Sequence, residues 1–130
     1  MEDSIFTKII KGEIPCHRVY DDEKTLAFMT IHPAQPGHVL VIPKKQVQFL
    51  WDLPDEDYQA VMATAKKVAQ RVREVLRPPY VGEMVVGTDV PHAHVHIIPF
   101  ESSDQLLKKP DTSIEPDHSA LAAMAEKLKF

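Results

Sequence analysis

The sequence predicts an α+β domain built on a five-stranded antiparallel sheet, with one long helix packed on it and short helices at either end. Three observations lead there. Apolar residues recur at steps of three and four across positions 52–76, the period of a helix with one buried side. Five short runs rich in Val, Ile, Leu and Phe are each bounded by polar residues, Pro or Gly, and read as strands. The connections between them are mostly hairpin-like, without the regular strand–helix alternation that a parallel sheet demands.

The elements follow in order. Asp3 or Ser4 can cap a short helix whose apolar side is Ile5, Phe6, Ile9 and Ile10, and Gly12 stands where a helix stops. Residues 18–20 and 25–29 form two strands of a hairpin across the polar turn Asp21-Asp22-Glu23-Lys24. The two prolines and the glycine in residues 31–37 exclude regular helix and make a loop, after which residues 38–42 form a buried strand. The long helix runs from Asp52 to Leu76 and stops at Pro78-Pro79; Lys66, Lys67, Gln70, Arg71, Arg73 and Glu74 form its solvated side. Strands at 81–88 and 92–98 are joined through Asp89-Val90-Pro91. Residues 101–116 are polar and irregular, and alanine-rich residues 120–128 form a last helix capped by Asp117 or Ser119. We expect the domain to span residues 4–108, with 109–130 a tail.

A chain of 130 residues, 44% hydrophobic and 26% charged, holds one core. Its formal charge of -4, with Lys and Arg scattered among Asp and Glu, gives no reason to expect nucleic-acid binding. No apolar stretch is long enough to span a bilayer, so no membrane partner is expected and the reading is a soluble, cytoplasmic protein. Cys16 is the only cysteine, which leaves neither an internal disulfide nor a cysteine metal cluster.

The chemistry concentrates in His92, His94 and His96. On a strand, residues i, i+2 and i+4 share a face, so the three imidazoles line up while Ala93, Val95 and Ile97 face the opposite way. Histidine is uncommon inside strands, and three on one face exceed what a solvated surface needs. Two chemistries fit. Neutral imidazoles can ligate zinc, or they can act as nucleophile and acid–base groups near neutral pH. Spacing alone does not separate these.

The surrounding residues, Val90-Pro91-His92-Ala93-His94-Val95-His96-Ile97-Ile98-Pro99, resemble the signature of the histidine triad superfamily. A second block, Pro36-Gly37-His38-Val39-Leu40-Val41-Ile42-Pro43-Lys44-Lys45, is similar to the other hallmark strand of that family, and residues 4–15 are similar to its opening helix and loop. The resemblance implies a homodimer whose two sheets join into one. It implies binding of purine nucleotides, with no cofactor. It also implies hydrolysis or transfer at the α-phosphate of phosphoramidates, acyl-adenylates or dinucleoside polyphosphates. Position by position, it makes His94 the nucleophile of a nucleotidyl-imidazole intermediate. His96 and His38 then contact phosphate oxygens or protonate the leaving group, and His92 orients the network. His38 carries this role only through its motif, since a lone histidine opening a strand is commonly a satisfied polar residue. Phe28, Ile31 and Leu40 are candidates for a base and ribose pocket as well as for core. Lys44 and Lys45 read as solvated residues after a strand. His17, His32 and His118 are ordinary residues, although His32 lies in the loop the family places near the nucleoside.

Departures from the family pattern are specific. Thr30 stands where many members place an aspartate for the ribose hydroxyls, and a threonine hydroxyl cannot match a bidentate carboxylate. The Gly-rich segment before the triad is shortened to Gly87-Thr88-Asp89. Thr88 and Asp89 are phosphate neighbours by position only, and the Asp89 charge opposes a phosphate. Zinc-carrying members have Cys-x-x-Cys in the opening helix and a histidine after the two lysines, where this chain has Ser4, Thr7 and Gln46. Losing all three argues against a structural zinc. The alternative to an enzyme is a nucleotide-binding or regulatory module that has lost efficient chemistry.

Overall fold

Local chemistry sets where each element begins. In this computed structural model, which describes residues 2–130, the Ser4 hydroxyl accepts the backbone N–H of Thr7 and starts helix α1 (Ile5–Ile10). Strands β1 (Arg18–Asp21) and β2 (Thr25–Met29) meet at a turn held by Asp22, whose carboxylate accepts the N–H groups of Lys24 and Thr25 at 3.0 and 2.8 Å. Strand β3 (Val39–Pro43) follows the proline loop. Gly37 in that loop sits at φ +93°, and a Cβ there would lie 2.6 Å from Leu76 Cδ1. Both the backbone and the packing therefore require glycine next to His38.

The long helix α2 covers Asp55–Leu76 rather than starting at Asp52. Pro54 separates it from a single 3-10 turn at Leu50–Asp52, because Pro54 supplies no N–H and fits only at a helix start. Asp55, Glu56 and Asp57 occupy its first turn, where the helix dipole favours negative charge. Arg77, left-handed at φ 51°, ends it. Strands β4 (Tyr80–Met84) and β5 (Val95–Phe100) differ from the expected 81–88 and 92–98. β4 stops four residues early and leaves Val85 and Val86 exposed. β5 begins only where Val95 pairs with Val41 of β3. A short helix α3 (Ser103–Leu106) interrupts the stretch 101–116 expected to be irregular, and α4 (His118–Leu128) is capped by Asp117, which accepts the Ala120 N–H at 3.1 Å.

The sheet is antiparallel throughout in the order β1-β2-β3-β5-β4. One face, carrying Ala27, Met29, Val39, Val41, Val95 and Ile97, packs on Val61, Ala65, Val68 and Val72 of α2 and on Leu121, Ala125 and Leu128 of α4. The other face, with Leu26, Phe28, Leu40 and Ile42, packs on Phe6 and Ile9 of α1. β2 and β3 are thus buried on both sides, which accounts for their unbroken apolar runs. Among the described residues, no helix is long and apolar enough to cross a membrane.

Candidate active site

The triad straddles the entry to β5. His92 and His94 precede the strand and only His96 lies within it, paired with Leu40. The entry is shaped by local bonds, since the His92 N–H donates to the Val90 carbonyl at 2.8 Å and the Ala93 N–H to the Val47 carbonyl at 2.7 Å. Alternation nevertheless survives. Ala93, Val95 and Ile97 enter the α2-side core, whereas Phe6 on the α1 side lies edge-on to the rings of His92 and His94, centroids 5.8 and 5.2 Å away. The His94 and His96 rings are 5.1 Å apart.

Hydrogen bonds assign the tautomers of His94, His38 and His96. Nδ1 of His94 lies 2.8 Å from the carbonyl of His92. A carbonyl only accepts, so Nδ1 carries the proton and Nε2 keeps its lone pair. That Nε2 has no hydrogen-bond partner among the described residues. His38 Nδ1 accepts the Ala34 N–H at 3.0 Å, which places its proton on Nε2, facing Nδ1 of His96 at 2.9 Å. His96 Nδ1 must therefore accept, and its own proton sits on Nε2. The pair presents a lone pair at His94 and an N–H donor at His96.

Burial lowers the pKa of His38, His96 and His92. It pushes His38 down to about 3, with repulsion from His96 adding to it. Burial also pushes His96 down to about 4, with His94 adding and the Asp89 carboxylate opposing. His92 is lowered by burial despite its hydrogen bond to the Pro43 carbonyl.

The remaining expected site residues divide. Phe28 and Leu40 are buried on the triad side of the sheet, and Phe6 meets Phe28 edge-on at 5.5 Å. Ile31 is 45% exposed. It lines a cavity of about 400 Å³ shared with His32, Met29, Leu121 and Met124, which the tail closes and which does not contain the triad. The Thr30 hydroxyl accepts the N–H of His32 at 3.4 Å. Thr88 and Asp89 are exposed and bond to each other. His17 and His118 face each other at 3.1 Å, away from the triad.

A family model described as the HIT domain matches residues 11–103. The chain belongs to the HIT-domain family. It is 38% identical over 109 residues to an uncharacterised HIT-like protein of Methanocaldococcus jannaschii, covering 80% of this chain and 84% of that one. It is 36% identical over 99 residues to an adenosine 5'-monophosphoramidase of Schizosaccharomyces pombe, covering 73% and 72%. Among solved structures, a Hit-like protein from Bartonella henselae is similar at TM-score 0.85 and 34% identity, over 99% of this chain and 98% of that one. A Zn-bound histidine triad family protein from Mycobacterium smegmatis is similar at TM-score 0.75 and 30% identity, over 95% and 94%.

The Ser4, Thr7 and Gln46 positions of this chain offer no fitting donor set for a zinc ion. They and His92 offer one imidazole nitrogen and three neutral oxygens, without thiolate or carboxylate. These atoms also already bond to one another. Ser4 Oγ lies 2.8 Å from His92 Nδ1, Thr7 Oγ1 donates to Gln46 Oε1 at 2.6 Å, and the Ser4 N–H donates to the same oxygen at 2.9 Å. The sequence marked these positions only as departures from a HIT metal pattern. Ala34 and Phe6 were missed as neighbours of the triad, because a backbone N–H and a packing contact carry no motif.

Proposed function

We propose that this HIT-domain protein cleaves, or transfers from, the α-phosphate of purine nucleotide conjugates such as phosphoramidates, with His94 as the nucleophile. The observation that carries this is the tautomer of His94. Its Nδ1–H is held by the His92 carbonyl, which leaves the Nε2 lone pair free to attack. A bond forms from Nε2 to phosphorus while the bond from phosphorus to the leaving group breaks, and the leaving amine or alkoxide takes a proton from water. The resulting imidazolium is stabilised by the His92 carbonyl. Water then attacks phosphorus, the N–P bond breaks, and His94 is restored with loss of one proton. His96, neutral and with Nε2–H free, donates to a phosphoryl oxygen; its low pKa and its accepting Nδ1 favour that role over acid catalysis. His38 fixes His96 in this form. The 36% identity to a protein named adenosine 5'-monophosphoramidase supports the phosphoramidate class. Phe28 and Leu40, with Phe6, supply an apolar wall for a base on the triad side.

The HIT resemblance further supports a homodimer, and the exposed β4 edge with Tyr80, Val85 and Val86 is the surface on which a second sheet could continue this one. A second reading, a nucleotide-binding module without efficient turnover, is favoured by the outward positions of Thr88 and Asp89 and by Thr30 in place of a carboxylate.

The test is incubation with adenosine phosphoramidate, intact mass spectrometry after an acid-free quench, and a His94→Ala control. A nucleotidyl adduct and turnover in the unaltered protein alone support the enzyme. Turnover that persists in His94→Ala overturns it. Neither adduct nor turnover, with nucleotide still raising the unfolding temperature, supports the module.

A further inference from the structure

Ser4 is 88 positions from His92, yet its hydroxyl lies 2.8 Å from a ring nitrogen of a residue that is fully buried. Both nitrogens of that ring are engaged. Nε2 lies 2.8 Å from the Pro43 carbonyl, so it must carry the proton, and Nδ1 must accept. Two hydroxyls stand near Nδ1, those of Ser4 at 2.8 Å and Thr7 at 3.3 Å. The Thr7 proton is committed to Gln46 Oε1 at 2.6 Å, and Gln46 is held in that orientation because its amide nitrogen donates to the Glu2 carbonyl at 2.8 Å. Ser4 spends a lone pair on the Thr7 N–H at 3.0 Å, and of the two acceptors near its proton, Thr7 Oγ1 at 3.3 Å and His92 Nδ1 at 2.8 Å, the ring nitrogen is the closer. Every proton in the cluster then has one direction: Gln46 holds Ser4 and Thr7, Ser4 donates to the His92 ring, and the ring donates to β3.

The same residue, His92, supplies through its backbone carbonyl the acceptor for the His94 Nδ1–H. Without the Ser4 hydroxyl, the only hydroxyl left near the buried acceptor His92 Nδ1 is that of Thr7 at 3.3 Å, whose proton Gln46 Oε1 holds at 2.6 Å. The other tautomer does not rescue it, because it sets an Nε2 lone pair against the Pro43 carbonyl. A ring that tilts toward Thr7 weakens its Nε2–H bond to the Pro43 carbonyl, the tie that holds the backbone of His92, and with it the carbonyl that His94 uses, against β3.

We propose that Ser4, held by Gln46, is a positioning residue for the nucleophile, acting through His92 and doing by hydrogen bonds at this end of the sheet what a metal ion cannot do with these donors. The inference rests on the catalytic reading of His94, and its test separates the two. Nitrogen-15 NMR of the histidine rings in the unaltered protein reads the tautomers without reference to activity. Steady-state kinetics on adenosine phosphoramidate compare Ser4→Ala, Ser4→Thr and His94→Ala. The expected result is a His92 ring protonated on Nε2 and bare on Nδ1. With it we expect a fall of about tenfold in kcat for Ser4→Ala, the scale of one lost hydrogen bond, with KM changed less than about twofold and recovery in Ser4→Thr. A proton on Nδ1 of His92 in the unaltered protein overturns the proposal, even if the variant fails to fold. So does an unchanged kcat in Ser4→Ala when His94→Ala abolishes turnover. Turnover unaffected by His94→Ala removes the catalytic reading instead, and leaves the NMR result to decide the network.

Discussion

His38 is buried with both ring nitrogens engaged, and its pKa near 3 makes it a pH-dependent element of stability. An unfolded histidine titrates at about 6.5. Above that pH both states are neutral and the fold keeps its full stability. As pH falls below 6.5 the unfolded chain gains a proton that folded His38 refuses until near 3, so stability falls with pH across that window, by about 2 kcal/mol at pH 5 from His38 alone. His96, lowered to about 4, acts in the same direction. The unfolding temperature should therefore drop from pH 8 to pH 5, and His38→Asn should flatten the slope; an equally steep profile in that variant would remove His38 as the cause. Gly37 is a second residue with a defined consequence. Gly37→Ala forces a Cβ into a positive-φ backbone 2.6 Å from Leu76 Cδ1. We expect a loss of about 2 kcal/mol, measured by denaturant titration, together with disturbance of the His38 ring signals. At this scale the sequence was explicit about identity and silent about direction. The i, i+2, i+4 spacing brought out His92, His94 and His96, but which nitrogen of each bears its proton depends on the carbonyls of His92 and Pro43 and the N–H of Ala34, and backbone groups are common to every residue.

Elements were legible where periodicity was long and blurred where the chain leaves it. Helix α2 followed from its apolar steps, and β2 and β3 from their unbroken apolar runs. The ends of β4 and β5 were not legible: Val85 and Val86 have every local preference for strand, yet the register past Met84 sets them against Val95, the first residue of β5, and His94, which precedes it. Pro54 was a readable break that the apolar pattern on either side obscured. Helix α4 shows how much a short terminal element depends on tertiary contacts. Its last turn is held by Arg71 of α2, whose guanidinium donates to the carbonyls of Lys127, Leu128 and Lys129 at 3.3, 3.0 and 3.2 Å. Leu128 is fully buried beneath it, and the Phe130 ring stacks on Tyr20 with centroids 4.9 Å apart. Leu128→Ala should cost about 3 kcal/mol by opening a cavity in the core. Arg71→Ala should cost about 1 kcal/mol and chiefly speed amide exchange in α4. Exchange that accelerates equally throughout the sheet would show that α4 is not a separable unit.

At the scale of the molecule, two layers of helix enclose the centre of the sheet and leave its margins unequal. The β1 edge is sheltered, since α4 packs over that strand and the Phe130 N–H donates to the Val19 carbonyl at 3.1 Å. The β4 edge is bare. Tyr80 is 59% exposed and stacks on Phe100, and the chain beyond β4 carries Val85 and Val86 outward at 41% and 53% exposure. A strand edge with unpaired backbone groups beside apolar side chains is a template for another strand. If a second copy of the chain covers this edge through a two-fold axis, the same residues meet themselves, so like charges placed there repel their own images. The double variant Val85→Lys, Val86→Lys puts four lysines at such an interface while leaving the core of each subunit untouched. In sedimentation equilibrium the unaltered protein should give twice the mass of the chain, and the variant should give the mass of one chain with unchanged secondary structure. A variant that keeps the doubled mass would place the contact elsewhere on the surface, and an unaltered protein that sediments as a single chain would leave the β4 edge open in solution.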